Sequence, residues 1–451
     1  MHTDDSLRAR LAAPRLLLAP EAVLLRDRVA PGHGVVVDGG RFVDVGPLAE
    51  VRARHADLAP VELPMQLLAP GFVDTHHHLT QSFGKALAFG EPSEIFRRIW
   101  VPLERCLDAR SLYLSAKLAE LEALRGGYTT VCDAGTRSEA GLEAIVEATR
   151  ETGIRCVLAQ ICNDDGSNHD AVLAAGERHL RSGTALLHPS LAVSIPEVAT
   201  DAMLHAASRL CAEAGAVFQV HVNEHLASVE RSLVARGQRP LQHLHAAGAL
   251  GPQALLAHCT MLTPDEMLML RDSGSAVAIN PVASPWKGNA VAPTTVLDAL
   301  GVRMGLGTDG TRSDALRMMD AAESNERLVY GLMRGDSSCG AGRLWLDMAT
   351  HRGAEAAGLG AVTGAIAVDK AADFLLIDLD VPELTPSWDL RWELVRLASR
   401  EQIRSVHVAG RLRLWHGWPV DWDARALMAE VRRLAHDAVA KADIHKVHPR
   451  G

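Results

Sequence analysis

The chain has 451 residues, is 48% hydrophobic and carries a formal net charge of −9. This length and apolar content predict a large buried core, arranged as two or three domains or as one large barrel with an appendage. The acidic balance and the absence of a run of Lys and Arg exclude a nucleic-acid-binding surface, so we expect no nucleic acid partner.

The seven cysteines are scattered and odd in number, which favours reduced thiols over a disulfide framework. Asp4 and Asp5 lie near the N-terminus, and no segment has 18 continuous apolar residues. We therefore expect a cytoplasmic protein with no export signal and no membrane partner.

Residues 1–66 have the pattern of the first part of a β domain. We predict no helix between residues 15 and 66, and Asp38-Gly39-Gly40 is a hairpin signal. The β-rich pieces are 16–18, 22–25, 34–37 and 41–45.

Residues 67–360 alternate between strand and helix patterns, which is typical of parallel strands with crossover helices. Helices are predicted at 111–125, 141–152 and 200–214, and the long stretch 88–110 is predicted to be a lid or a pocket wall. The apolar runs predict the eight strands of an α/β fold, a (β/α)8 TIM barrel, at 67–75, 128–134, 154–162, 185–194, 217–222, 253–258, 275–280 and 302–308.

Strand patterns return after the barrel, at 372–378, 403–408 and 411–414. We expect residues 361–421 to join residues 1–66 in a small β-sandwich domain built from both chain termini. Residues 422–451 are predicted to form a closing amphipathic helix and a tail.

The stretch Asp74-Thr75-His76-His77-His78-Leu79-Thr80-Gln81 follows the first barrel strand. Alternation along an extended strand places His76 and His78 on one face and His77 on the other. Two converging imidazoles suit a zinc or iron ion, whereas His77 is predicted to be structural. The alternative is a chance cluster in a chain with 21 histidines.

Three more polar residues end predicted strands: His221, His258 and Asp309. Each of them, taken alone, could be a buried polar residue whose hydrogen bonds are satisfied within the protein and which has no role in a site. Because TIM barrels build their sites at the C-terminal ends of strands, their matching positions predict one common site with His76 and His78.

These motifs resemble the amidohydrolase superfamily, and within it the cytosine deaminase and atrazine chlorohydrolase group of metal-dependent aminohydrolases. The likeness runs from about residue 60 to 415. Its matching pieces are Pro70-Gly71-Phe72-Val73-Asp74-Thr75-His76-His77-His78, His221-Val222-Asn223-Glu224, Ala257-His258-Cys259, Gly307-Thr308-Asp309-Gly310 and the segment 363–373.

The resemblance implies one divalent metal ion, Zn²⁺ or Fe²⁺, held by His76, His78, His221 and Asp309. It also implies a homo-oligomer, a dimer or higher. Two-metal relatives carry a carboxylated lysine at the end of strand four, but no lysine occurs between Lys117 and Lys287, which predicts a single ion.

The implied activity is hydrolytic deamination of a small-molecule heterocyclic substrate, an amino-substituted pterin, purine, pyrimidine or triazine, with release of ammonia. A metal in such a site makes bound water a nucleophile near neutral pH. Asp309 would accept the water proton, Glu224 would protonate a ring nitrogen if its pKa is near neutral, and His258 would stabilise the developing alkoxide. A helix N-terminal charge is the alternative for Glu224.

Three other functions remain open from the sequence. Another leaving group such as chloride could be displaced, a formimino or non-aromatic C–N bond could be cleaved, or the chain could be a non-catalytic binding or assembly relative. Ammonia release, chloride release and metal content separate these possibilities.

Substrate contacts are predicted for Gln81, whose amide can both donate and accept at a ring edge, and for Trp100, Asn163, Trp286 and Ser313, which follow strand or insertion ends. Two loops depart from the family pattern. Residues 191–196 lack the usual histidine, and residues 279–286 lack the usual Cys-Pro and Ser-Asn pairs. Because both loops shape the pocket, no particular substrate can be transferred from a relative.

Overall fold

The computed structural model describes residues 2–91, 94–335 and 338–447. Within these ranges the strands form two sheets, an eight-stranded parallel sheet and a nine-stranded mixed sheet. The predicted fold class, a TIM barrel with a second β domain from both chain ends, is confirmed.

The strands of the described ranges are β1 Leu16–Leu24, β2 Val29–Pro31, β3 His33–Asp38, β4 Arg41–Pro47, β5 Val61–Pro70, β6 Phe72–His77, β7 Tyr128–Asp133, β8 Arg155–Ile161, β9 Leu187–Val193, β10 Phe218–Val222, β11 Ala254–His258, β12 Ala276–Ile279, β13 Arg303–Leu306, β14 Phe374–Asp378, β15 Ile403–Val408, β16 Arg411–Trp415 and β17 Trp418–Pro419.

The α-helices are α1 His2–Leu11, α2 Leu48–Arg54, α3 Val101–Arg105, α4 Ala109–Arg125, α5 Glu143–Thr152, α6 His169–Leu180, α7 Asp201–Ala214, α8 Leu226–Arg236, α9 Pro240–Ala246, α10 Pro264–Ser273, α11 Ala283–Trp286, α12 Thr294–Ala299, α13 Ala315–Glu326, α14 Leu332–Arg334, α15 Arg343–Ala349, α16 His351–Ala356, α17 Leu390–Arg396 and α18 Ala424–Lys441. Shorter 3₁₀ or π turns lie at Leu79–Gly84, Phe96–Trp100, Pro196–Val198, Arg327–Gly331, Pro382–Leu384 and Arg400–Gln402.

The barrel strands β6 to β13 pair in chain order and in parallel, so their C-terminal ends all open on the same side. The gap between the last strand and the first is bridged by the N–H groups of Thr308 and Asp309, which donate to the His76 carbonyl at 3.1 and 2.8 Å. These two bonds bring the C-terminal ends of the first and the eighth strand together.

The predicted helices 111–125, 141–152 and 200–214 correspond to α4, α5 and α7. The caps explain where they begin and end. The Asp108 carboxylate accepts from the Ser111 N–H at 2.8 Å at the start of α4, and α7 ends at Gly215, whose φ of 64° suits a residue without a Cβ.

One predicted strand, 67–75, is wrong: it is two strands in two different sheets. Strand β5 pairs with β1 and β14 in the mixed sheet, and β6 begins the barrel. The chain passes between them at Gly71, where a Cβ would lie 2.1 Å from the Thr129 hydroxyl. The run is buried on both sides of this point, so hydrophobicity shows no break.

The prediction of no helix between residues 15 and 66 is also wrong, because α2 lies there. Its Val51 is buried against Leu17 and Val36 of the mixed sheet. The helix has only seven residues, of which Val51 alone is buried, and it is too short to give a periodic signal in the sequence.

A buried ion pair joins the barrel to the mixed sheet. The Arg155 guanidinium of β8 donates to both carboxylate oxygens of Asp373 at 2.9 and 3.1 Å. Asp373 also accepts from the Thr363 hydroxyl and from the Ala409 N–H, each at 2.7 Å. The segment 363–373 therefore locks the two sheets together.

The long connection after β6 is helical at Phe96–Arg105 and is covered by the C-terminal segment. Val439 and Ile444 pack against the cluster that contains Trp100, and the His445 N–H donates to the Arg98 carbonyl at 3.0 Å. Helix α18 corresponds to the predicted closing helix. No helix in the described parts of the chain has the length and apolar character needed to cross a bilayer.

Candidate active site

Four side chains from three barrel strands and their loops converge at the C-terminal end of the barrel: His76, His78, His221 and Asp309. None is more than 9% exposed. His78 Nε2 lies 3.1 Å from His221 Nε2, and Asp309 Oδ1 lies 3.2 Å from His78 Nε2 and 3.4 Å from His76 Nε2.

These separations fit a shared metal ion. Ligand atoms about 2.0–2.1 Å from a tetrahedral ion lie about 3.3 Å from one another. His76 Nε2 is buried and has no hydrogen-bond partner, so its lone pair or proton is unsatisfied without a further group at the centre.

His221 is held in the orientation a ligand requires. Its Nδ1 donates to the Ser194 carbonyl at 2.6 Å, which leaves a lone pair on Nε2 facing the other imidazoles. Burial, reinforced by the neighbouring histidines, lowers the pKa of His221 well below its usual value. The ring is thus neutral, the form that binds metals.

His77 faces away from this centre. Its Nδ1 lies 2.9 Å from Asp74 and 2.7 Å from the Thr308 hydroxyl. Asp74 also accepts from the N–H groups of Thr308 and His76 at 3.0 and 3.2 Å. This network ties the two strand ends that carry His76 and Asp309, so His77 supports the site from behind.

Glu224 reaches the site because the chain turns at Asn223, whose φ of 49° is left-handed. Helix α8 is capped by His225, whose Nδ1 accepts from the Ser228 N–H at 3.2 Å. The Glu224 carboxylate is therefore not the helix cap, and it faces His258 Nε2 at 3.8 Å.

His258 is oriented by the loop after β12. Its Nδ1 accepts from the Asn280 amide at 3.1 Å and lies 3.3 Å from the Ser284 hydroxyl, so the ring proton is on Nε2, toward Glu224. Burial lowers the pKa of His258 to about 4, so the ring is neutral. A neutral Nε2–H can donate to an oxygen that gains negative charge.

The sequence model of the amidohydrolase family matches residues 67–413, which is most of the chain. The chain belongs to this family. Residues 34–57 also match a bacterial imidazolonepropionase-like composite domain.

One relative of this amidohydrolase is the 5-methylthioadenosine/S-adenosylhomocysteine deaminase of Moorella thermoacetica, 28% identical over 412 residues that cover 90% of this chain and 95% of the relative. An adenosine deaminase from Xanthomonas campestris, solved with bound zinc, is 25% identical with a TM-score of 0.86, covering 95% of this chain and 99% of that one. The zinc complex of atrazine chlorohydrolase from Arthrobacter aurescens shares the fold at 20% identity and a TM-score of 0.81, over 93% and 100% of the two chains.

A lysine that we did not single out from the sequence lies inside this amidohydrolase site. Lys287 Nζ donates to Glu224 Oε1 at 3.1 Å and contacts Asp309 Oδ2. It follows α11, directly after the stretch 279–286 that departs from the family pattern, and the sequence holds no signal for the direction of its side chain.

The Lys287 ammonium favours the ionised form of both carboxyl groups. Burial by itself raises the pKa of Glu224, but the facing His258 and Lys287 outweigh it and lower that pKa below its usual value. The same lysine holds the pKa of the buried Asp309 well below its usual range. The near-neutral pKa that was the condition for ring protonation by Glu224 is therefore not found in this structure, because a cation lies against the carboxylate.

The amidohydrolase site opens into a cleft of about 840 Å³. Gln81 and Trp100, two of the residues predicted to contact substrate, line this cleft, and the Gln81 amide also donates to Glu104 at 3.3 Å. The connection after β6 forms one wall, through Glu91, Glu94, Ile95, Phe96, Arg97 and Trp100.

The other three predicted substrate residues of this amidohydrolase do not line the cleft. Asn163 exchanges hydrogen bonds with Ser194, both at 2.9 Å, and so supports the strand-four loop. The Trp286 ring packs edge-on against Phe89, and Ser313 is buried with its carbonyl packed against Gly126. A position just after a strand does not decide which way a loop side chain points.

Proposed function

We propose that this amidohydrolase is a zinc-dependent hydrolytic deaminase of an adenine nucleoside or a close analogue. The observation that carries the proposal is the cluster of His76, His78, His221 and Asp309 at the floor of the cleft, with Glu224 and His258 beside it. The names of the Moorella and Xanthomonas proteins, both adenosine-type deaminases, support the purine class.

Zinc is supported by the donor set and by the bound zinc in the Xanthomonas structure. Three neutral imidazoles and one carboxylate would hold it, and the ion would supply the Lewis acidity that makes water nucleophilic near neutral pH. Strand β9 contains no lysine that could bridge a second ion, which supports a single metal.

The side chains divide the proton transfers between them. Asp309 accepts a proton from the attacking water, and Glu224 carries a proton to a ring nitrogen. His258 Nε2–H donates to the oxygen as negative charge develops on it. A C–O bond forms at the ring carbon, and the proton held by Asp309 passes to the amino group. The C–N bond then breaks and the amino group leaves as ammonia, while the ring nitrogen keeps the proton from Glu224.

Because Lys287 holds Glu224 ionised in the free enzyme, we propose that Glu224 first receives a proton from the water side and then passes it to the ring. A carboxylate that starts as a base can serve as an acid in the next step. The Gln81 amide, held by Glu104, presents its oxygen to the ring edge.

We also propose a homo-oligomer in the cytoplasm. The turn of π-helix at Arg327–Gly331 and α14 expose Leu328, Leu332 and Met333 at 67–74%, an apolar patch that suits contact between copies. Cys106, Cys132, Cys156, Cys162, Cys211 and Cys259 form no disulfide, as is usual in a reducing compartment. Light scattering at several concentrations tests the assembly.

The test of function is ammonia release by the zinc-loaded protein from adenosine, 5-methylthioadenosine, S-adenosylhomocysteine, guanine, cytosine, a pterin and an amino-triazine. We expect release from the adenine nucleosides. A metal-replete protein that releases no ammonia from any of these compounds would refute the proposal, and chloride release from a chlorotriazine would favour the rival reaction.

A pair of variants links that activity to the cluster. His76→Ala should lose bound zinc and ammonia release together, whereas His436→Ala, which removes an exposed imidazole on α18, should keep both. Full activity without zinc in His76→Ala would separate the reaction from this centre.

A further inference from the structure

We propose that Lys287 is a positioning residue that ties the carboxylates of Glu224 and Asp309 together and opposes the charge of the metal ion. The proposal rests on the proposed function in assigning proton transfer to those carboxylates. It concerns a residue from the loop after β12, where the chain departs from the usual family pattern.

The two oxygens of Asp309 have different partners. Oδ1 faces His78 Nε2 at 3.2 Å and His76 Nε2 at 3.4 Å, whereas Oδ2 contacts Lys287 Nζ. One oxygen is thus directed to the centre of the cluster and the other is held from the opposite side. A carboxylate that binds a metal commonly has such an outer donor, which fixes its orientation.

The same ammonium reaches the second carboxylate, since Nζ lies 3.1 Å from Glu224 Oε1. The side chains of Lys287, Glu224 and Asp309 are 11%, 15% and 3% exposed. Two carboxylates so close in a water-poor site repel each other unless a cation lies between them. Lys287 is that cation, and it fixes the separation of the two carboxylates that take part in proton transfer.

The backbone fixes where the lysine begins. The Lys287 N–H donates to the Ala283 carbonyl at 3.2 Å at the end of α11, and Ser284 of the same turn lies 3.3 Å from His258 Nδ1. One short helix therefore positions both His258 and the ammonium. This turn therefore couples His258, which acts on the reacting oxygen, to Lys287, which positions the two carboxylates.

The position of the ammonium has a second consequence. A cation in contact with Asp309 repels another cation that binds through the opposite oxygen of the same carboxylate. Lys287 therefore weakens metal binding while it improves proton transfer. Its removal should move these two properties in opposite directions, which loss of structure would not do.

The experiment compares Lys287→Met, which keeps the length of the side chain without its charge, and Lys287→Arg with the wild type. Lys85→Met is the matched control, because Lys85 is also a cation near the site but pairs with Glu122 instead. Thermal unfolding shows whether each variant folds. Steady-state kinetics give kcat and KM, and competition with a chromophoric chelator gives the zinc affinity of the metal-free protein.

We expect Lys287→Met to lose about 10–100-fold in kcat with KM changed by less than about threefold, and to bind zinc about tenfold more tightly. Lys287→Arg should recover part of kcat and keep the wild-type zinc affinity, and Lys85→Met should match the wild type in both. An unchanged kcat, or a fall in zinc affinity, in a folded Lys287→Met protein would overturn the proposal. If the wild type deaminates none of the compounds, the proposed function fails, but the zinc measurement still tests Lys287.

Discussion

Replacing Glu224 by Gln is the sharpest test of the proton-transfer roles. The amide keeps the shape of the side chain, so the turn at Asn223 and the cap of α8 by His225 are undisturbed. What is lost is the carboxylate that accepts from Lys287 at 3.1 Å and faces His258 at 3.8 Å. The amide that replaces the Glu224 carboxylate does not ionise, so it can neither receive nor deliver a proton.

The size of the effect follows from that loss. General acid–base transfer contributes about 10²–10⁴-fold to a rate, so kcat should fall by at least about 10², which corresponds to about 2.7 kcal/mol in the barrier. The group of His76, His78, His221 and Asp309 remains intact, so bound zinc should stay near one equivalent per chain, as the proposed single ion requires.

The assay is ammonia release from the best nucleoside in the panel, together with zinc content by mass spectrometry. A Glu224→Gln protein with wild-type kcat would remove Glu224 from proton transfer. Loss of zinc would instead make the residue a ligand or a support for the metal, and either result refutes the reasoning.

Gln81→Ala should raise KM by about two- to tenfold with little change in kcat, since one amide hydrogen bond to the ring edge contributes about 0.5–1.5 kcal/mol; an unchanged KM would remove Gln81 from substrate binding. Arg155→Met should lower the free energy of unfolding by about 3–5 kcal/mol in urea titrations, because it leaves the buried Asp373 carboxylate without its cation; a loss below about 1 kcal/mol would contradict this. Burial raises the pKa of Glu120 to about 8 from 4.5, so the folded protein holds a proton that the unfolded chain releases, and stability should fall as pH rises through this window. Glu120→Gln should flatten that dependence in thermal unfolding between pH 5 and 8, and an identical slope in both proteins would count against a protonated Glu120.

The strand pattern and the spacing of the polar residues at strand ends were enough to predict the barrel and the histidine cluster. Parallel strands impose one direction on all their C-terminal ends, so His76, His221, His258 and Asp309 had to face the same opening once the strands were placed. The alternation that separates His76 and His78 from His77 is likewise a local property of an extended chain.

The direction in which loop side chains point could not be predicted from their position in the chain. Asn163, Trp286 and Ser313 come after strands or insertions, yet none of them lines the cleft. The Asn163 amide bonds to Ser194, the Trp286 ring packs against Phe89, and the backbone carbonyl of Ser313 lies against Gly126. Lys287, seven residues further than Asn280, reaches the centre instead. Backbone turns with several allowed conformations decide these directions, and packing against distant segments selects among them.

By itself, the sequence determined the fold class through the periodicity of its apolar residues. The resemblance of its strand-end motifs to those of the amidohydrolases gave the family and the residues that could hold a metal. Only the tertiary structure decided that residues 67–75 divide between two sheets at Gly71, and that a buried ammonium lies between Glu224 and Asp309. Both depend on contacts between residues far apart in the chain. Gly71 is required only because Thr129 packs against it, and the Lys287 ammonium affects the carboxylates only because the fold brings it to Glu224 and Asp309.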